Sequence, residues 1–103
     1  MSYRTLLLMW YNVGTPVSGA NNGLTHTPTF NHGKETCTVQ FEKWAGTGQF
    51  HVQGRLDSTM PWRNLTAVVV ENDKIEYNLP ICPQMRIRMT GGTNAQFAIK
   101  LLE

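Results

Sequence analysis

The sequence predicts an all-β protein: a single antiparallel β-sandwich of jelly-roll type, carrying an extended N-terminal arm and a long loop. Three observations lead there. Between Phe41 and Leu101, apolar side chains recur at every second residue in short runs, the period of a strand with one dry and one wet face. Gly, Pro and Asn separate the runs, as turns require. No window carries the sustained i, i+3, i+4, i+7 apolar stripe of a helix. A chain of 103 residues is one domain by size. Within it, residues 1–34 read as arm and loop, and residues 35–103 as the sandwich core.

In chain order, residues 3–11 read as a first strand or an extended arm. From Asn12 to Lys34 the text is broken by Gly14, Pro16, Gly19, Asn21-Asn22-Gly23, Pro28 and Asn31-His32-Gly33. This is a long loop, with room for a short strand near Leu24–Thr29. Loops of this length inside a compact domain usually have a task, and reaching a neighbouring subunit is one. Then come strands at Thr36–Glu42, Gln49–Leu56, Leu65–Glu71, Lys74–Leu79, Met85–Thr90 and Ala95–Leu102. Asn72-Asp73 suits a tight hairpin because both residues tolerate positive φ. Gly91-Gly92-Thr93-Asn94 is a second hairpin signal.

The inward set is Cys37, Val39, Phe41, Phe50, Val52, Leu56, Leu65, Ala67, Val69, Ile75, Tyr77, Leu79, Met85, Ile87, Met89, Ala95, Phe97, Ile99 and Leu101. Each large side chain buried contributes about 1.5–3 kcal/mol. Chain entropy cancels most of that sum, so partners matter to stability.

Composition excludes several classes. Charged residues are 16% of the chain, below the typical ~25%, and Thr, Asn and Gln supply the polar groups instead. Such a surface suits one largely covered by partners. The net charge of +2 is too small for direct nucleic-acid binding, which needs a dense basic stripe. The apolar run Thr5–Trp10 is too short to span a membrane and lacks a cleavage site for secretion, which predicts a cytosolic product. The two cysteines, Cys37 and Cys82, lack zinc-site spacing. Cys37 reads as a small buried hydrophobe.

The three histidines, His26, His32 and His51, have no carboxylate cluster beside them, so no metal site is predicted. The acids sit at strand ends and turns, and no serine lies in a nucleophile motif. The chain reads as no enzyme, with no catalytic residue and no cofactor. Interface candidates are the aromatic and basic residues of the arm and loop, Tyr3, Arg4, Trp10, Tyr11, His26, Phe30 and His32, together with Arg86 and Arg88 on one strand's outer face. Trp, Tyr and Arg dominate interface hot spots, and arginine forks bind carboxylates in two-pronged pairs. Arg86 and Arg88 would meet an acidic patch on a neighbour, or pair locally with Glu42 or Glu76. Trp44 and Trp62 fit a sugar-stacking platform. For Trp62 the favoured reading is a lid over one end of the core.

Four motifs follow in order: Phe50-x-Val52-x-Gly54, Trp62-x-x-Leu65, Pro83-x-Met85-Arg86-Ile87-Arg88-Met89-Thr90 and Ala95-x-Phe97-x-Ile99-x-Leu101. This C-terminal half resembles small β-sandwich proteins of tailed-bacteriophage virions, often capsid decoration (cement) proteins. The resemblance implies a non-enzymatic structural protein assembled in the host cytoplasm and retained in the virion. It implies a homo-dimer or homo-trimer that binds the major capsid protein or another virion protein and clamps adjacent capsomers. A tail or connector component and a carbohydrate-binding sandwich are the alternatives.

Overall fold

The computed structural model describes residues 6–11, 16–27, 36–65 and 73–102, with 6–11, Tyr77 and Leu102 described by their backbone. All regular structure among these residues is strand: β1 (Leu6–Tyr11), β2 (Val17–Asn22), β3 (Thr36–Arg55), β4 (Arg63–Asn64), β5 (Lys74–Pro80) and β6 (Gln84–Leu102). They form one antiparallel sheet.

Two long strands organise it. β3 has 20 residues and β6 has 19, and they pair from Thr38 opposite Leu102 to Arg55 opposite Gln84. Toward the Leu102 end, β1 flanks β6 and β5 flanks β3. Toward the Gln84 end, β2 flanks β6 and β4 flanks β3. The chain after β2 continues along β6, where His26 and Met85 exchange backbone hydrogen bonds of 2.8 Å in both directions.

The pairing differs from the sequence expectation in three places. Thr36–Glu42 and Gln49–Leu56 are two parts of one strand, and so are Met85–Thr90 and Ala95–Leu102. The Gly91-Gly92-Thr93-Asn94 segment is therefore not a hairpin but the interior of β6. Its glycine signal belongs to a run of register shifts, between Lys43 and Gln49 on β3. Here Gly46, Gly91 and Asn94 take positive φ of 78°, 61° and 49°, as bulges demand. Third, residues expected as loop contain β2, at Val17–Asn22 rather than near Leu24–Thr29. Ser18 of β2 accepts the Asn94 N–H on its Oγ at 2.9 Å, fastening the bulge. The expected strand over Leu65–Glu71 lies, beyond Leu65, outside the described residues.

The bulges reset which side chains face inward. Phe41 lies opposite Ile99 and Phe50 opposite Met89, so the ten residues from 41 to 50 on β3 match the eleven from 89 to 99 on β6. Odd-numbered Val39 and Phe41 and even-numbered Phe50 and Val52 thus all reach one core. A one-residue shift turns a strand over, and the bulge makes that turn deliberate. Phe50 and Phe97 meet edge-on across the bulge at 4.9 Å. Met85, Ile87, Met89, Ile99 and Leu101 complete a core with no solvent exposure.

Two expected core residues are outside it. Leu56 is 68% exposed because β3 ends at Arg55 and the chain turns away. Ile75 is 42% exposed. On β5, Leu79 faces Cys37 but Glu76 faces Val39, and the extra residue is absorbed at Asn78, whose φ is 56°. Beyond that bulge the phase inverts and Ile75 turns outward. Ala67, Val69 and the Tyr77 side chain lie outside the described residues.

Gly46 tests the bulge directly. A Cβ there would meet the Asn94 carbonyl oxygen, 2.2 Å away, whereas one on Gly91 would meet nothing within 4 Å. Gly91→Ala should cost about 1–2 kcal/mol for its left-handed backbone alone. Gly46→Ala should cost about 3 kcal/mol or more. Urea denaturation of both variants checks the order.

Candidate functional site

On the half of the ribbon between Gln49 and Arg55, alternation turns Gln49, His51, Gln53 and Arg55 away from the core. Gln84, Arg86, Arg88 and Thr90 of β6 share that face. The register sets Arg55 opposite Gln84, Gln53 opposite Arg86 and His51 opposite Arg88. Arg55 and Arg86 are therefore staggered, each facing an amide, which avoids like charges directly across the ladder.

The amides complete the pattern. Arg55 donates from Nε to Gln84 Oε1 at 2.7 Å, and Arg86 from Nε to Gln53 Oε1 at 2.8 Å. Gln53 in turn donates from Nε2 to Asn64 Oδ1 of β4 at 2.9 Å. On the other edge, Arg88 donates from Nη1 to Asn22 Oδ1 of β2 at 2.8 Å. One row of polar side chains thus crosses β4, β3 and β6. Gln53 is 9% exposed, and its bonds to Arg86 and Asn64 compensate that burial.

Trp62 lies over this row. The Arg55 guanidinium carbon is 4.2 Å from its ring centroid and that of Arg86 is 4.5 Å away, both within cation–π range. The following residues, β4 and the Leu65 N–H bonded to Val52 O at 2.7 Å, hold the chain against β3. Trp62 is thus not a lid over the core end; it sits on the outer face between two cations.

The electrostatics are one-sided. Burial lowers the affinity of Arg86 for its proton, and Arg88 and Arg55 lower it further. Arginine nevertheless stays charged at neutral pH. Among the described residues, Arg55, Arg86 and Arg88 form no ion pair. The local pairs expected with Glu42 or Glu76 are not made: the arginines bond to amides, and Glu76 pairs with Lys74 at 2.5 Å. Among the described residues only Asp57, whose carboxyl feels the Arg55 charge, offsets this positive face, and no carboxylate forms an ion pair with Arg86 or Arg88.

Of the other predicted interface residues, three fall among the described ones. Trp10 and Tyr11 belong to β1, paired with Ile99 and Ala98. His26, half-buried, bridges to Met85, one residue before Arg86. Tyr3, Arg4, Phe30 and His32 lie outside the described residues. Of the predicted residues whose side chains are described, Arg86 and Arg88 share this face. Sequence reasoning missed Gln53, Arg55, Asn64, Gln84 and Asn22, and placed Trp62 wrongly. Alternation put Gln53 and Arg55 on the wet face, but only the pairing register brings them to Arg86.

Among the described residues, no group of three or more His, Cys, Asp or Glu gathers to hold a metal ion. The Asp57 carboxyl is held below its ordinary range, chiefly by the Thr59 hydroxyl and N–H. Burial pushes the Cys82 thiol up, away from the thiolate. Cys37 and Cys82 are both free, and Cys37 is buried in the core as its sequence position indicated.

No known protein family, curated protein or solved structure matches the chain.

Two outcomes follow from this geometry. In a double-mutant cycle of Trp62→Ala and Arg86→Ala, urea denaturation should show a coupling of about 0.5–2 kcal/mol. Cys82 should alkylate slowly at neutral pH and accelerate above the ordinary thiol range, with Cys37 protected until unfolding. The Cys82 thiol is raised in the folded chain, so its stabilising contribution is present at neutral pH and fades as pH rises through that range. Mass-resolved iodoacetamide labelling against pH reads both sites.

Proposed function

We propose that this chain is a non-enzymatic structural protein of a phage virion, which binds the outer capsid lattice and stabilises contacts between capsomers. The observation that supports it best is the Arg55–Trp62–Arg86 stack with Arg88 beside it. It is a surface built to be gripped: aromatic, cationic and held in place before any partner arrives.

Fixing rotamers in advance removes part of the ordering cost of association. Buried Trp and Arg are the residue types that carry most interface energy. Arginines that form no ion pair among the described residues fit an acidic patch on the major capsid protein or another virion protein. Each contact is small, but a lattice offers many at once, and avidity adds about 10²–10⁴. In this reading the β3–β6 ribbon folds at its bulges into a two-layered, jelly-roll-like sandwich. The protein acts as a homo-dimer or homo-trimer and joins the particle in the host cytoplasm.

The alternatives differ in stoichiometry and ligand. A decoration protein has a copy number matched to the capsid subunits, and a tail or connector component far fewer copies, confined to one vertex. A carbohydrate-binding module would instead be free of particles and lose glycan binding on Trp44→Ala or Trp62→Ala. Trp44 is 57% exposed, and guanidinium groups occupy space against the Trp62 ring.

Quantitative mass spectrometry of purified particles is the deciding measurement, and a copy number matched to the capsid protein is expected. In Arg86→Glu/Arg88→Glu, with β-sheet circular dichroism unchanged, occupancy should drop at least about tenfold.

A further inference from the structure

Beside the arginine row, the chain leaves β3 at Arg55 and returns at β4. The loop between them exposes two large apolar side chains, Leu56 at 68% and Met60 at 48%. It is tied in place from within. Asp57 Oδ1 accepts from the Thr59 N–H at 2.8 Å and the Thr59 hydroxyl at 2.5 Å, and Asp57 O accepts from the Met60 N–H at 3.1 Å. Leu56 and Met60 are therefore held outward by a structured turn.

Between this loop and the sheet lies an open cleft of about 430 Å³, enough for more than one large apolar side chain. Its floor includes Gly54, Leu65 and Cys82, and a Cβ on Gly54 would come within 2.8 Å of Cys82 Sγ and 3.0 Å of Leu65 Cδ1. Leu56, Met60 and Pro61 form an apolar wall, and Arg55 and Arg63 line the same cleft. Arg55 uses Nε for Gln84 and its guanidinium face for Trp62. Among the described residues, its terminal nitrogens and the exposed Arg63 side chain meet no hydrogen-bond acceptor. Asp57, the carboxylate of the loop, accepts from Thr59 and also feels the Arg55 charge, which leaves Arg63 as the less balanced cation of the cleft.

We propose that this cleft is a docking site for a partner protein segment that places an apolar side chain next to carboxylates. The apolar side chain fills the space against Leu56, Met60 and Leu65, and the carboxylates bridge to Arg55 and Arg63. The charge of the rim decides the occupant, since a purely apolar segment would cover Arg63 without giving its guanidinium a partner and would add nothing to the bonds Arg55 already has. This deepens the reading above, on which it rests: it names the chemistry of the segment that the cationic face would take.

The test is an amide and methyl NMR titration of the full chain with a short acetylated, amidated peptide in which leucine is flanked by aspartate and glutamate. Saturable shifts centred on Gly54, Leu56, Met60 and Leu65 are expected, with a Kd on the order of 1 mM or tighter for a single anchor. Replacing the leucine by serine, or both acids by their amides, should weaken binding at least about fivefold. Arg63→Gln, at an exposed position that leaves the core intact, should do the same and should flatten the salt dependence. No saturable shift would overturn the proposal, as would equal binding of the uncharged peptide, or tighter binding of an oligothymidylate at the same residues. Peptide binding by a protein absent from purified particles keeps this site and sinks the virion reading. Particles carrying a protein that ignores the peptide sink the site alone.

Discussion

The ladder between β3 and β6 runs from Thr38 opposite Leu102 to Arg55 opposite Gln84, and each other described strand hydrogen-bonds to one of those two. β1 and β2 take the free edge of β6, and β4 and β5 take the free edge of β3. A slip of one residue along that ladder would turn the side chains of a whole strand over. The ladder avoids slippage because the core is apolar on one side only and because the bulge has specified residues. Gly46 and Asn94 approach each other too closely to accept a Cβ on the glycine, and Ser18 bonds to Asn94 from the third strand. The register is thus fixed from the middle as well as from the ends.

The cationic face inherits its geometry from that register. Arg55 and Arg86 are far apart in the chain, and they flank one tryptophan because Gln53 pairs with Arg86 and Arg55 with Gln84. Each guanidinium is then split between two partners, an amide oxygen through Nε and the indole through its face. This geometry suits arginine and not lysine, whose ammonium has no planar face to stack. The sheet supplies rigidity, and the loop from Leu56 to Trp62 brings apolar groups to the same edge.

Much of the sheet was legible in the sequence. Alternation placed Val39, Phe41, Phe50, Val52, Met85, Ile87, Met89, Phe97, Ile99 and Leu101 in the core, where they are. It failed at the β5 bulge, where the phase change at Asn78 turns Ile75 outward. It also broke two long strands into four short ones. The reason is physical: a glycine with positive φ serves a hairpin turn and a β-bulge equally well, so Gly91-Gly92 cannot distinguish them locally. The site was less legible than the core. The outward positions of Arg86 and Arg88 followed from alternation alone, whereas the role of Trp62 needed Arg55 beside Arg86, and that contact exists only after pairing.

The position of β6 in the chain also bears on how the protein is made. On the ribosome, β1, β2 and β3 emerge before the strand that all three hydrogen-bond to. Until residues 84–102 have been synthesised, those earlier segments carry unsatisfied edges and uncovered apolar faces. Contacts of such long sequence separation form slowly, and waiting strands are prone to pair with the wrong chain. The sheet can therefore close only after its last strand has left the ribosome, and the aggregation hazard lies in that interval rather than in the finished fold.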